Sequence, residues 1–159
     1  MSHVEWKVKF AAGVLEARGY KNGQTVLAVT RETAGAPIKL ALLPDRQTLA
    51  ADGQDVCIVQ AQVLDNAGRL VPIAEVPVEF HISGSGRLIG VGNGDPSSHE
   101  ADKGGRRRTF NGLCAAIVQS SLQPGELRVD ATSSGLRLQL PRLPAKLATK
   151  RTDRIPPAA

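Results

Sequence analysis

Residues 55–82 read DVCIVQAQVLDNAGRLVPIAEVPVEFHI, and this stretch decides the fold class. Apolar residues occupy every second position from Val76 to Ile82, with Phe80 among them. A period of two over this length predicts a half-buried β-strand. Asp65 and Gly68 lie between this strand and the preceding apolar run, and both are typical turn residues. The stretch therefore predicts two strands joined by a turn, as in one wall of an antiparallel sandwich.

Short alternating runs continue along the rest of the chain. Residues 38–140 contain seven or eight of them, at the spacing expected for an immunoglobulin-like domain. Upstream, residues 4–10 alternate, and Asn22-Gly23 separates two further runs, which is a strong hairpin signal. No stretch has the 3.6-residue period of a helix. We therefore predict an all-β protein, an immunoglobulin-like antiparallel β-sandwich with an extra N-terminal β segment.

The sequence divides into three parts. Residues 1–35 hold the N-terminal strands, and residues 36–141 hold the sandwich. The N-terminal strands begin without a leader, which suggests a piece of a longer protein. Residues 142–159 are basic, contain proline and lack a sustained period, which predicts a flexible tail. This tail has a net charge of +4 out of +5 for the whole chain, so the rest is nearly neutral.

Composition excludes several classes of function. The basic charge lies in the tail rather than in a folded patch, so we expect no nucleic-acid partner. Aromatic residues make up 3% of the chain, which is few for the flat platforms of a sugar-binding module, and we expect no direct carbohydrate binding. No apolar run reaches the roughly 18 residues of a membrane span, so we expect no membrane partner. No motif indicates a cofactor.

The two cysteines, Cys57 and Cys114, lie in predicted strands that can be neighbours in a sandwich. A disulfide between facing strands is one interpretation of this pair. The other is that both are small apolar residues of the core, since free cysteine packs as a small hydrophobe.

Several motifs, which occur along the chain in the same order as in a known family, resemble that family. The runs GVGNGDPSSHE (residues 90–100) and FNGLCAAIVQS (residues 110–120) resemble the C-terminal immunoglobulin-like module of glycoside hydrolase family 2 β-galactosidases. The run LEARGYKNGQTVLAVTRETAGAP (residues 15–37) is similar to the end of the β-sandwich module that precedes it. Residues 63–95 also resemble the immunoglobulin-like repeats of bacterial adhesins.

The resemblance implies a non-catalytic accessory module that supports or shapes the catalytic domain of a β-galactosidase-like hydrolase. In that family the two catalytic glutamates lie on a (β/α)8 barrel, which is absent here, so we expect no enzyme activity and no catalytic residue in this chain. The expected partners are the other domains of the parent enzyme, for which we expect a periplasmic or secreted location. The alternative is a stand-alone immunoglobulin-like adhesion or interaction module.

The long polar loop at residues 92–106 is the best candidate site, because loops of this length are usually functional or disordered. We predict that it is mobile in the isolated chain and docks on another domain in the parent. The spacing of its oxygen ligands matches no calcium loop, so we expect no metal. The alternative is a self-capped turn built on Asp95 and Ser97. The candidate docking residues are Asn93, Asp95, Ser98, His99, Glu100, Arg106, Arg107 and Arg108.

Overall fold

A computed structural model describes residues 4–133 and 145–150 of the chain. Within these residues there are eleven β-strands and no helix, which confirms the prediction of an all-β fold. Accordingly, no helix in this part of the chain could cross a membrane. The chain divides into two compact units, residues 1–34 and 35–159.

The first unit is a two-stranded antiparallel hairpin, formed by β1 (Val14–Lys21) and β2 (Gln24–Glu32). Asn22 and Gly23 form its turn with φ of 51° and 76°, the backbone that the Asn-Gly pair predicts. The strand predicted at residues 4–10 is not formed: this segment pairs with no strand among the described residues, and alternation alone does not supply a hydrogen-bonding neighbour. Trp6 is 68% exposed, and no residue from 4 to 34 is buried.

The second unit is a sandwich of two sheets. The four-stranded sheet has the order β3-β5-β9-β7, and the five-stranded sheet has the order β4-β11-β10-β6-β8. In the first sheet these strands are β3 (Lys39–Pro44), β5 (Val56–Leu64), β7 (Gly86–Gly92) and β9 (Leu113–Ser120). In the second they are β4 (Thr48–Ala50), β6 (Pro77–Gly84), β8 (Arg106–Arg108), β10 (Gly125–Thr132) and β11 (Ala145–Lys150). All pairs are antiparallel except β4 with β11, which is parallel.

The core lies between the two sheets and is built from alternate residues of each strand. On β5, every second residue from Cys57 to Val63 is buried, and on β6 the buried residues are Val78 and Phe80. Phe80 is 4% exposed, which confirms that its face of the strand is the core face. The turn at residues 65–68 is also confirmed: the Gly68 amide donates to the Asp65 carbonyl over 3.1 Å.

Strand β11 corrects the predicted tail. We expected a last strand at residues 136–140 and a flexible tail from residue 142, and residues 136–140 lie outside the described residues. Residues 145–150 instead form a strand that pairs with β10 on one side and with β4 on the other. This stretch lacks clear alternation, and its two neighbouring strands supply the backbone hydrogen bonds that hold it in the sheet.

The interpretation of the two cysteines as a disulfide is wrong. Both thiols are free and buried. Cys57 and Cys114 do lie on adjacent strands, but Cys57 is opposite Val118, whereas Cys114 is opposite Ala61. Four residues along a strand span about 13 Å, and a disulfide needs Cα atoms within about 7 Å. Both cysteines act as small apolar core residues.

Burial should make both thiols unreactive in the folded chain. It raises the pKa of Cys57 to about 11 and that of Cys114 to about 12. At pH 8 a thiol-reactive dye should therefore label neither residue until denaturant is added, and then label two thiols per chain. Since the folded pKa values lie above the ordinary value of about 8.5, the thiols' contribution to stability is complete below that pH and decreases towards pH 11 to 12. Rapid labelling of the folded chain would contradict this prediction.

Candidate interdomain docking site

The candidate site is the loop that leaves β7 at Gly92 and enters β8 at Arg106. Strand β8 is three consecutive arginines on the edge of the five-stranded sheet, paired with β6. Because side chains alternate along a strand, Arg106 and Arg108 point outward and are exposed, whereas Arg107 points inward and is 5% exposed. The run of arginines is therefore not a single solvated patch.

The guanidinium of Arg107 holds the loop together. Its Nη2 donates to Asn93 Oδ1 over 3.0 Å, and its Nη1 donates to the Glu100 carbonyl and to Asp102 Oδ1, also over 3.0 Å. Its Nε is buried without a hydrogen bond and lies 3.8 Å from Glu100 Oε2. A buried guanidinium needs this many partners because an unpaired buried charge is strongly destabilising. The start and the end of the loop are thus fixed to one side chain.

The middle of the loop is a self-capped turn. Asp95 Oδ1 accepts hydrogen bonds from the Ser97 amide over 2.9 Å and from the Ser97 hydroxyl over 2.7 Å. The hydroxyl bond, followed by the amide bond, holds the pKa of the Asp95 carboxyl below its usual range. The Asp95 amide in turn donates to Asn93 Oδ1 over 3.1 Å. This matches the self-capped turn that the sequence analysis gave as an alternative.

A polar hollow of about 430 Å³ lies beside the turn. Glu100 and Arg108 form one wall, since the Arg108 amide donates to Glu100 Oε2 over 3.0 Å. The buried Thr109 hydroxyl donates to the Ala74 carbonyl over 2.8 Å and so connects the strand to the segment before β6. Nine residues line the hollow: Glu75, Asn93, Asp95, Ser97, Ser98, Glu100, Arg108, Thr109 and Phe110.

The structure brings only some of the predicted residues together. Asn93, Asp95, Ser98, Glu100 and Arg108 line the hollow. Arg107 is buried, Arg106 lines a separate depression, and His99 is exposed outside the hollow.

The sequence analysis missed Glu75, Thr109 and Phe110. These residues reach the loop through contacts between segments more than thirty residues apart in sequence, such as the hydrogen bond from the Val76 amide to Thr109 Oγ1. No local motif marks that contact.

These contacts give the loop polar anchors, which the prediction of a mobile loop did not include. Asn93→Ala removes an acceptor from the buried Arg107, and a hydrogen bond to a charged group contributes about 1.5 to 3 kcal/mol. We therefore expect the free energy of unfolding to decrease by about 1 to 3 kcal/mol, measured by chemical denaturation followed by circular dichroism. Asn66→Ala, at an exposed turn position, is the control and should change it by less than about 0.5 kcal/mol. Equal losses in the two variants would contradict the anchoring role of Asn93.

Two family models match parts of the chain. Residues 40–139 match the family model described as "Glycoside hydrolase family 2 C-terminal domain 5". Residues 1–27 match a second family model, described as "Domain of unknown function (DUF4982)".

The curated relatives are much longer than this chain. Beta-galactosidase BoGH2A of Bacteroides ovatus is 40% identical over 91% of this chain, which spans 17% of the relative's length. A beta-galactosidase of Thermoanaerobacter pseudethanolicus is 34% identical over 84% of this chain and 16% of its own length.

Solved structures likewise align with most of this chain over a small part of their own length. A glycosyl hydrolase family 2 member from Bacteroides cellulosilyticus aligns with a TM-score of 0.84 and 32% identity, over 92% of this chain and 18% of that protein. A beta-glycosidase from Bacteroides vulgatus aligns with a TM-score of 0.76 and 29% identity, over 91% of this chain and 18% of that protein.

Proposed function

The chain belongs to the family of glycoside hydrolase family 2 C-terminal domain 5, and from this we propose that it is a non-catalytic accessory module of a β-galactosidase-like hydrolase. The observation that carries the proposal is the family match over residues 40–139, in a chain that spans only 17% of its β-galactosidase relative from Bacteroides ovatus. The module supports the catalytic domain or shapes the approach to its active site.

The spacing of the two carboxylates on β10 supports a non-catalytic role. Glycoside hydrolysis uses two carboxyl groups about 5 to 10 Å apart on either side of the scissile bond. Glu126 and Asp130 lie four residues apart on β10, which is about 13 Å along a strand. Asp130 is held by Arg128 over 2.9 Å, and Glu100 accepts the Arg108 amide, so both are engaged in structural contacts.

The hairpin at residues 14–32 is proposed to be the end of a preceding β-sandwich module. An isolated two-stranded hairpin is at best marginally stable in water, and this one exposes apolar residues such as Leu15 and Val26 by 57% and 63%. A hairpin of this kind needs further strands to bury its apolar side chains. The match of residues 1–27 to a second family model supports this division of the chain.

The loop is proposed to dock on a neighbouring domain of the parent through its exposed groups. Arg107 and Asn93 hold the loop in one conformation, so the exposed side chains are presented without a large ordering cost on binding. These exposed or half-exposed groups are Asp95, Ser98, His99, Glu100, Arg106 and Arg108.

The proposed function is tested on the full-length parent enzyme and on the isolated chain, with nitrophenyl β-galactoside as substrate. The isolated chain should not hydrolyse it. Deleting residues 35–159 from the parent should reduce its activity or its thermal stability. Turnover by the isolated chain that is lost on mutating one of its own residues would overturn the proposal. So would a parent polypeptide made of tandem sandwiches without a barrel.

The docking role of the loop has its own test. Arg106→Gln should leave the stability of the isolated chain unchanged within about 0.5 kcal/mol, because this side chain is exposed on an edge strand and glutamine places no like charge opposite Glu79. In the parent, the same change should lower the melting temperature. The control is Arg18→Gln, an exposed arginine of the hairpin unit. No change in the parent would mean that Arg106 does not dock.

A further inference from the structure

The outer face of the four-stranded sheet is apolar, unlike that of the other sheet. The outward positions of β5 and β9 hold apolar residues and glutamine, and none of them is charged. Ile58 is directly opposite Ile117, which in turn is opposite Gly90 on β7. Ile58 is 48% exposed, although it lies on an interior strand of the sheet.

A second row beside the first has the same character. Leu43 on β3 is opposite Gln60, Gln60 is opposite Ala115, and Ala115 is opposite Gly92. Leu43 is 45% exposed, and a Cβ built on Gly92 would meet no atom within 4 Å. The two rows thus form a surface with aliphatic side chains and Gln60 on the β3 and β5 side and two glycines on the β7 side, where a Cβ on Gly90 would meet the Asp102 carbonyl at 3.4 Å and Gly92 is open. We call the surface formed by Leu43, Ile58, Gly90, Gly92, Ala115 and Ile117 the apolar sheet face.

The five-stranded sheet provides the comparison within the same molecule. Its outward positions follow the usual pattern of an antiparallel sheet that faces water, with polar residues outside. The charged or titratable residues on that face are Glu79, His81, Arg106, Arg108, Glu126, Arg128 and Asp130. On the four-stranded sheet, charge is confined to the edges: Lys39 and Arg87 lie on its two edge strands, and Asp45 directly follows β3, where its Oδ1 accepts the Ile58 amide over 3.2 Å.

We propose that the apolar sheet face is an interface, buried against another domain of the parent hydrolase that lies outside residues 1–159. This inference rests on the proposed function. The largest apolar patch on a monomer, typically about 300 to 600 Å², is often functional, especially where polar residues rim it. The matching surface on the partner domain presents aliphatic or aromatic side chains, because Gln62 Nε2 already donates to Gln60 Oε1 over 2.8 Å and the charged side chains of this sheet lie at its edges.

The size of the apolar sheet face favours a covalently linked domain over a second copy of the chain. Four strands about 4.8 Å apart, over about five residues each, give a face of roughly 300 Å². A stable dimer buries about 800 Å² per partner. A domain of the same polypeptide is held nearby by the linker, so a smaller surface is sufficient. The curated relatives, of which this chain spans 16% to 17%, contain ample further polypeptide.

Thiol labelling tests the interface directly, because the two native cysteines are buried. Ile58→Cys and Ser83→Cys place one exposed thiol on each outer face of the sandwich, and Ser83 lies about 13 Å along β6 from Glu79, the residue opposite Arg106. In the isolated chain both variants should react rapidly with a thiol reagent. In the full-length parent, labelling at position 83 should stay rapid, whereas labelling at position 58 should slow at least tenfold, each rate being corrected for the unsubstituted parent.

Equal labelling rates at positions 58 and 83 in the full-length parent would overturn the interface. So would an isolated chain that sediments as a dimer and protects position 58 by itself, since the face would then bind a second copy. Glycosidase activity of the parent is measured on the same samples. Activity without protection at position 58 overturns only the interface, whereas protection without activity in the unsubstituted parent overturns the proposed function.

Discussion

Phe80→Ala is expected to lower the free energy of unfolding of the sandwich by about 3 to 5 kcal/mol, the range for truncating a large core side chain. Phe80 is 4% exposed and lies in a core otherwise made of valine, leucine, alanine and cysteine. It is one of three phenylalanines in the chain, so the core has few other large side chains that could fill the cavity. Rigid strands on both sides limit relaxation, which places the loss high in the range.

The measurement requires a probe that reports on the sandwich. Trp6 is the only tryptophan and lies in the hairpin unit, so its fluorescence is unsuitable. Denaturant unfolding followed by circular dichroism reports on the strands themselves. His81→Ala is the matched control, because His81 follows Phe80 on the same strand but is exposed. This substitution should change stability by less than about 0.5 kcal/mol. A loss below about 1 kcal/mol for Phe80→Ala would mean that the cavity is refilled by its neighbours.

Gly84→Ala should give the second large effect, a loss of about 2 to 5 kcal/mol of unfolding free energy. Gly84 has φ of +88°, which costs an L-residue about 1 to 2 kcal/mol. A Cβ at this position would also overlap the carbonyl oxygen of Glu126 on the neighbouring β10. Relieving such an overlap by shifting backbone typically costs a further 1 to 3 kcal/mol.

Gly68→Ala separates the two contributions to that loss. Gly68 has φ of +82°, but a Cβ there would meet no atom within 4 Å. Its loss should therefore be limited to the backbone part, about 1 to 2 kcal/mol. If both variants lose the same amount in the same unfolding assay, the contact with Glu126 has no effect of its own.

Local pattern predicted the strands whose alternation is complete. Residues 76–82 were assigned from period two, and the structure has β6 at residues 77–84. Residues 83–86, Ser-Gly-Ser-Gly, have the composition of a turn. The structure shows that the chain changes sheets at Ser85, between β6 and β7, which lie in different sheets. The same residue types can form a hairpin turn within one sheet or a crossing from one sheet to the other. Here the pairing of β6 with β10 places β6 in a different sheet from β7, so the segment is a crossing.

The site was predictable only in outline. Three consecutive arginines at residues 106–108 give no local sign that the middle one is buried, because its partners Asn93 and Asp102 lie up to fourteen residues upstream. The distance between Cys57 and Cys114 depended on a register offset of four residues, which is set by pairing and not by either strand alone. Strand β11 was missed for the same reason. Each failure concerns a contact between segments far apart in sequence.

Because β11 lies between β4 and β10, the module can be completed only late in its synthesis. Thr48 on β4 pairs with Ala148 on β11, so β4 gains its neighbour only after a further hundred residues have been made. At a synthesis rate of about 5 to 20 residues per second, this takes roughly 5 to 20 seconds. During this interval Leu49, which is fully buried in the finished module, belongs to a strand without a partner. The sandwich therefore cannot close strand by strand as it is translated, and nascent chains are exposed to misassociation until residue 150 has emerged.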